Sequence, residues 1–251
     1  MGARTAAMSA DTVRIVTYNI HKCRGVDRRT DPLRIATVLQ ELEPDIAALQ
    51  EVMDLPGDPT HDQARVIAAH FEDFESQFGS NRQHFGAAYG NMTLSRFPVR
   101  FWRNYDLTWG RRERRGCLRT DVELANGSVL HIFNVHLGTG FLERRHQGRQ
   151  LLSTGVLGDA ALTGPCVVVG DFNEWTRGLA TKLMSGKFES VDVRAYSRFG
   201  RTYPGVLPLF HLDHFYFDRR LVLRSYKVHR TRAALLGSDH LPLMAEFEVV
   251  Q

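Results

Sequence analysis

Apolar runs that stop at polar side chains recur along this chain. Val13 to Tyr18 ends at Asn19, Ile46 to Gln50 at Glu51, Leu130 to Val135 at His136, and Cys166 to Val169 at Gly170-Asp171-Phe172-Asn173. Phe210-Leu212 runs into Asp213-His214, and Ser238-Asp239-His240-Leu241-Pro242 repeats the pattern near the C-terminus. Short apolar runs bounded in this way predict buried strands that end at an open sheet edge, where polar groups converge on a ligand. One strand-end Asp or Asn is an ordinary turn former or helix cap. Six such ends together point to a shared site.

Between the strands the period changes. Apolar residues at Leu33, Ile35, Ala36, Leu39 and Leu42 give one core-facing stripe before Pro44, which predicts a helix over Leu33 to Leu42. Further helices are expected over Gln63 to Phe71 and Glu143 to Leu157. The stretch from Gln83 to Leu130 reads as a meander of short strands, with Asn126-Gly127 as a hairpin turn. Strands inside and helices outside imply a four-layer α/β sandwich.

Length and composition bound this picture. With 251 residues and 43% hydrophobic content, the chain can bury a two-layer core in one large domain, expected over residues 12–251. Residues 1–11 are small and polar and read as a loose tail without the apolar core of a signal peptide. No apolar run is long enough to span a membrane. Cys23, Cys117 and Cys166 form no paired spacing and fit a reducing compartment, so the expected location is the cytoplasm, with peripheral membrane contact left open.

The strand-end residues favour one kind of chemistry. Carboxylates and amides suit a hard cation such as Mg2+, with Mn2+ as a substitute, whereas zinc would draw on more His and Cys. The imidazoles of His136 and His240 add proton transfer near neutral pH and donation to a developing oxyanion. Metal, His and Asp together spell hydrolysis of a phosphate ester.

The ordered motifs Tyr18-Asn19, Leu49-Gln50-Glu51, Asn134-Val135-His136, Gly170 to Asn173, Leu212-Asp213-His214 and Ser238-Asp239-His240 resemble the endonuclease/exonuclease/phosphatase superfamily. The resemblance implies its DNase I-like fold, two packed, mainly antiparallel sheets flanked by helices. It implies Glu51 as the principal metal ligand, helped by Asn19 and Asp239. Asp171 would orient or deprotonate the attacking water, and Asn173 would donate to a phosphate oxygen. His240, held by Asp213, would act as base or transition-state stabiliser, and His136 as acid for the leaving oxygen. Arg119 and Asn91 fall where relatives place phosphate-binding and supporting groups. His21, expected to contact metal or substrate, stands where relatives resembling exonuclease III carry a carboxylate, which disfavours an abasic-site nuclease. Tyr18 to Lys22 instead resembles a group of small bacterial members of poorly defined substrate, whose relatives include phospholipid- and glycolipid-related proteins.

The net charge of +4 is modest, but Arg111, Arg112, Arg114, Arg115 and Arg119 crowd one segment, and Arg144, Arg145 and Arg149 another. They read either as solvated faces or as a rim for a polyanion, a nucleic-acid backbone or an anionic membrane. The loop Tyr203 to Phe210, apolar and broken by Pro204, Gly205 and Pro208, lies beside Asp213 and suggests a lipid. Phe101, Trp102, Tyr105 and Trp109 add aromatic residues, with Phe101 and Tyr105 expected in the core. The leading reading is a metal-dependent phosphodiesterase, acting on a lipid-type or other phosphodiester. The alternative is a Mg2+-dependent nuclease on DNA or RNA, and a third reading is a catalytically silent binding protein.

Overall fold

In the computed structural model, residues 12–58, 60–175, 178–190 and 201–250 are described. The elements in chain order are β1 (Thr12–Asn19), α1 (Pro32–Leu42), β2 (Ile46–Asp54), α2 (Gln63–Ala68), β3 (Glu75–His84), β4 (Ala87–Ser95), β5 (Val99–Asp106), β6 (Gly116–Glu123) and β7 (Val129–His136). There follow α3 (Phe141–Leu151), β8 (Cys166–Asp171), α4 (Leu179–Ser185), β9 (Glu189–Ser190), β10 (Asp213–Phe217), β11 (Leu221–Val228), α5 (Arg232–Gly237) and β12 (Leu243–Val249). The expected tail, residues 1–11, lies outside the described residues.

Among the described residues two six-stranded sheets form, ordered β11-β12-β1-β2-β4-β3 and β5-β6-β7-β8-β10-β9. Each holds one parallel pair at its centre, β1 with β2 and β7 with β8, and its other pairings are antiparallel. Inward side chains of both sheets, among them Ile15, Ile46, Ile132, Val167, Phe215 and Phe247, form the core between them. Outward side chains of the first sheet pack on Ile35, Leu39 and Leu42 of α1, Ile67 of α2 and Ala234 of α5. Those of the second pack on Leu151 of α3 and on Ala180 and Met184 of α4. The result is the expected four-layer α/β sandwich.

Local chemistry fixes the ends of α1. The Asp31 carboxylate accepts from the Leu33 amide at 3.0 Å, Pro32 occupies the first turn, and Glu43 ends the helix in the left-handed region at φ 46°. The helix expected over Glu143 to Leu157 begins two residues earlier and stops at Leu151. The one expected to reach Phe71 stops at Ala68.

Two of the expected strand ends run the other way. Asp213 begins β10 instead of closing a strand, and Ser238-Asp239-His240 links α5 to β12 instead of ending a strand. Antiparallel pairing explains the difference, since β10 runs against β8 and β12 against β1. A strand start on one is therefore level with a strand end on its neighbour. All six motifs still meet at one edge of the sandwich.

Candidate active site

Alternation along the central strands delivers the polar groups. In β1 the inward row runs Val13, Ile15, Thr17, Asn19; in β7 it runs Leu130, Ile132, Asn134, His136; in β8 it runs Val167, Val169, Asp171. Each row is apolar in the core and turns polar in the last residues at the same edge. Glu51 gets there differently. Regular alternation would point it outward, but β2 carries a bulge between Leu49 and Val52, and Glu51 sits in the left-handed region at φ 61°. The bulge turns its carboxylate toward the end of β1.

The cluster is continuous. Asn19 Nδ2 donates to Asp171 Oδ2 at 2.9 Å and to Glu51 Oε1 at 3.2 Å, tying the two sheets together. The Asn173 amide donates to Asp171 Oδ1 at 2.8 Å, and its side chain donates to the Leu137 carbonyl at 2.9 Å. His136 Nε2 and His240 Nε2 stand 3.6 and 3.9 Å from Asp171 Oδ2. His240 Nδ1 lies 2.9 Å from Asp213 Oδ2, which also accepts from the Thr202 hydroxyl at 2.6 Å. The Tyr203 ring covers His240, with centroids 4.9 Å apart.

Burial sets the charge states. It pushes the Asp171 carboxyl up to about 7, with Asp213 adding to the rise and His240 opposing it. Burial works against charge on His240, but Asp213, then Asp171 and Asp239, raise it to about 10. Burial and the neighbouring Arg115 hold His136 well below the ordinary imidazole value. For Glu51 burial opposes ionisation, yet His136 and Lys22 outweigh it and hold the carboxyl well below the usual range. Of these two the Lys22 ammonium carries the charge, since His136 is kept neutral.

The other expected site residues fall in three places. Ser238 Oγ donates to the Asn19 carbonyl at 2.7 Å, which sets Asp239 beside β1, and His21 Nδ1 lies 3.3 Å from Asp239 Oδ1. Asn91 lies behind the cluster, donating to the carbonyls of Asn134 at 3.0 Å and Gly116 at 3.3 Å. Arg119 does not join it. Its position opposite Phe133 places it on the outer face of the second sheet, where it is buried against Asp121 at 2.6 Å and Asp159 at 3.2 Å. That face is covered by the outer core, so Arg119 has no path to the cluster.

Arg115, not Arg119, reaches the cluster. It is buried, with Nη1 3.0 Å from each ring nitrogen of His136 and Nη2 3.0 Å from Glu113 Oε2, and its Nε has no partner among the described residues. Lys22 was also not anticipated; its Nζ donates to Glu51 Oε2 at 2.7 Å. It sits in the turn His21–Cys23, whose three residues all have φ between 45° and 57° without a glycine. Each such residue costs about 1 kcal/mol. The turn is held by Gln63 Nε2 donating to the Lys22 carbonyl at 2.7 Å.

The donor set fits a hard divalent cation. Glu51, Asn19 and Asp239 offer oxygens at an edge rich in carboxylates. Asp171, Asp213 and His240 also bring ligand-type atoms within 4.8 Å of one another. In that trio Asp213 Oδ2 is already engaged by His240 and Thr202, and a protonated imidazole cannot bind metal, so the trio does not make a metal site. The three cysteines are free and buried.

Among known proteins, YbhP of Escherichia coli (strain K12) is 30% identical over 257 residues, covering 94% of this chain and 96% of its own length. A solved endonuclease/exonuclease/phosphatase from Beutenbergia cavernae DSM 12333 superposes with a TM-score of 0.77 at 22% identity, over 96% of this chain and 72% of that one. The catalytic domain of human Nocturnin, solved with a bound sulfate anion, superposes with a TM-score of 0.76 at 21% identity over 95% of each chain. Both share the DNase I-like fold described above. The family profile matches residues 16–240, from the core of β1 to His240, and the chain belongs to the endonuclease/exonuclease/phosphatase family.

Proposed function

We propose that this protein is a metal-dependent phosphodiesterase that attacks its substrate with water at the edge formed by β1, β2, β7 and β8. Members of the family act as metal-dependent phosphoesterases or nucleases. The observation that carries the reading here is Asp171, a buried carboxylate raised to about 7 and faced by two imidazoles within 4 Å. A group poised there takes a proton from water at neutral pH. Beside it His240, charged through Asp213, stabilises negative charge on the non-bridging oxygens, and Asn173 donates to one of them. Held neutral beside Arg115, His136 lacks the proton expected of an acid for the leaving oxygen and serves with Arg115 as a donor to the phosphate.

Glu51, Asn19 and Asp239 are the residues that would hold Mg2+ or Mn2+. The metal, when bound, supplies Lewis-acid stabilisation of the phosphate charge. The nuclease reading draws its support from the exposed Arg111, Arg112, Arg114, Arg145 and Arg149. An expected cytoplasmic location stays a proposal beside it. Among the described residues no helix is long and apolar enough to cross a membrane.

A screen of Mg2+ and Mn2+ with bis-p-nitrophenyl phosphate and with plasmid DNA tests both readings. Hydrolysis of the diester that disappears in His240→Ala supports the phosphodiesterase. DNA cleavage that weakens with salt supports the nuclease. Equal turnover by wild type and His240→Ala overturns the site assignment.

A further inference from the structure

The loops described at the edge that carries the cluster expose apolar side chains or arginines. Loop 203–210 is clamped onto the His240 segment, with the Gly205 amide donating to the Asp239 carbonyl at 2.6 Å and the Leu241 amide to the Thr202 carbonyl at 2.9 Å. At its tip Val206, Leu207 and Leu209 are 57%, 66% and 49% exposed. Trp175, after β8, packs against Phe210 at 4.6 Å and is itself 44% exposed. The loop after β7 leads into Phe141 and Leu142, both 58% exposed at the start of α3.

The basic residues stand among these groups. Arg111, Arg112 and Arg114 are exposed on the loop between β5 and β6, whose Trp109 stacks on His146 of α3. The Arg112 guanidinium lies against Gly140, next to Phe141, and Arg230 donates to the Val206 carbonyl at 3.0 Å. Exposed apolar groups interleaved with arginines around a phosphate site match the layering of an anionic bilayer, acyl chains beneath a negative headgroup plane. A nucleic acid matches less well: Trp175 and Phe141 offer rings, but most of the exposed apolar groups, Val206, Leu207, Leu209 and Leu142, are aliphatic and give a base nothing to stack on.

We propose that this edge docks on the surface of an anionic phospholipid membrane and that the diester cleaved there belongs to a lipid headgroup. The proposal rests on the phosphodiesterase reading and narrows its substrate class. On docking, Val206, Leu207 and Leu142 enter the headgroup region and the arginines meet lipid phosphates. His240 and Asp171 then face a diester presented from the membrane.

The test is sedimentation of the full chain with vesicles in EDTA, so that binding is read without turnover. Vesicles of mixed phosphatidylglycerol and phosphatidylcholine are compared with pure phosphatidylcholine, for wild type and the double variant Val206→Ser, Leu207→Ser. Both side chains are exposed, so the variant melts within about 2 °C of wild type. The expected result is binding to the anionic vesicles at least about tenfold tighter than to the neutral ones, and at least about tenfold weaker in the variant. Absence of vesicle binding, equal binding by the variant, or retention of plasmid DNA without vesicle binding overturns the proposal. Bis-p-nitrophenyl phosphate hydrolysis by wild type is measured alongside. Turnover without vesicle binding overturns the membrane face alone, and vesicle binding without turnover, when Mg2+ is restored, of either bis-p-nitrophenyl phosphate or the vesicle phosphatidylglycerol supports that face while overturning the phosphodiesterase.

Discussion

His240 Nδ1 lies 2.9 Å from Asp213 Oδ2, and the carboxylate is itself held by the Thr202 hydroxyl at 2.6 Å. This pair fixes the ring so that Nε2 faces Asp171, and it raises the imidazole to about 10. Asp213→Asn keeps the shape and removes the charge. The expected loss in kcat is about a hundredfold or more, with the circular dichroism spectrum unchanged. Wild-type kcat in that variant would contradict the role given to the pair.

The same pair shapes stability against pH. The folded value of His240, about 10, lies above that of a free imidazole. Its contribution is therefore complete below pH ~6.5 and is lost as pH rises through about 10. Urea midpoints measured across that window fall in wild type and stay flatter in Asp213→Asn.

Activity should follow a bell. Asp171 must lose its proton to act as base, which sets a rising limb near 7, and His240 must keep its proton, which sets a falling limb near 10. The two limbs belong to the coupled pair. The pH profile of kcat/KM on a small diester checks this, and Asp213→Asn should move the falling limb downward.

Arg115 and Arg119 separate by experiment. Arg115→Met removes a guanidinium beside His136, so kcat/KM falls about a hundredfold and the His136 imidazole, followed by NMR, titrates at a higher pH. Arg119→Met leaves the buried Asp121 with only His131, 2.8 Å away, to balance it, costing about 3 kcal/mol of stability, while the folded enzyme keeps its turnover. Chemical denaturation and kcat measured on both variants decide between the two arginines.

Much of the sandwich is legible in the chain because each central strand writes its inner row as apolar residues ending in a polar one. Asn19, His136 and Asp171 follow from that alternation. The direction of the strands does not, since an apolar run reads the same whether the polar motif precedes or follows it. Asp213 and His240 were therefore found at the right edge but on the wrong end of their strands. Glu51 reaches the cluster through a bulge and Lys22 through a left-handed turn without glycine, and neither has a signature in residue type. Arg119 had one, because Arg119 and Asp121 share a face by alternation and so predict a local ion pair. Phe101 and Tyr105 part in the same way; Tyr105 is buried as expected, while Phe101 is 44% exposed, its ring 4.8 Å from the Arg119 guanidinium carbon.

Central to this account is a metal held by Glu51 beside the Asp171 base. The most direct measurement is hydrolysis of bis-p-nitrophenyl phosphate as a function of Mg2+ concentration, for wild type and Glu51→Gln. The account predicts saturable dependence on Mg2+, loss of turnover in EDTA and, in Glu51→Gln, a drop of about a hundredfold or more with a higher half-saturating metal concentration. Turnover that survives chelation, or an unchanged metal response in Glu51→Gln, would contradict it.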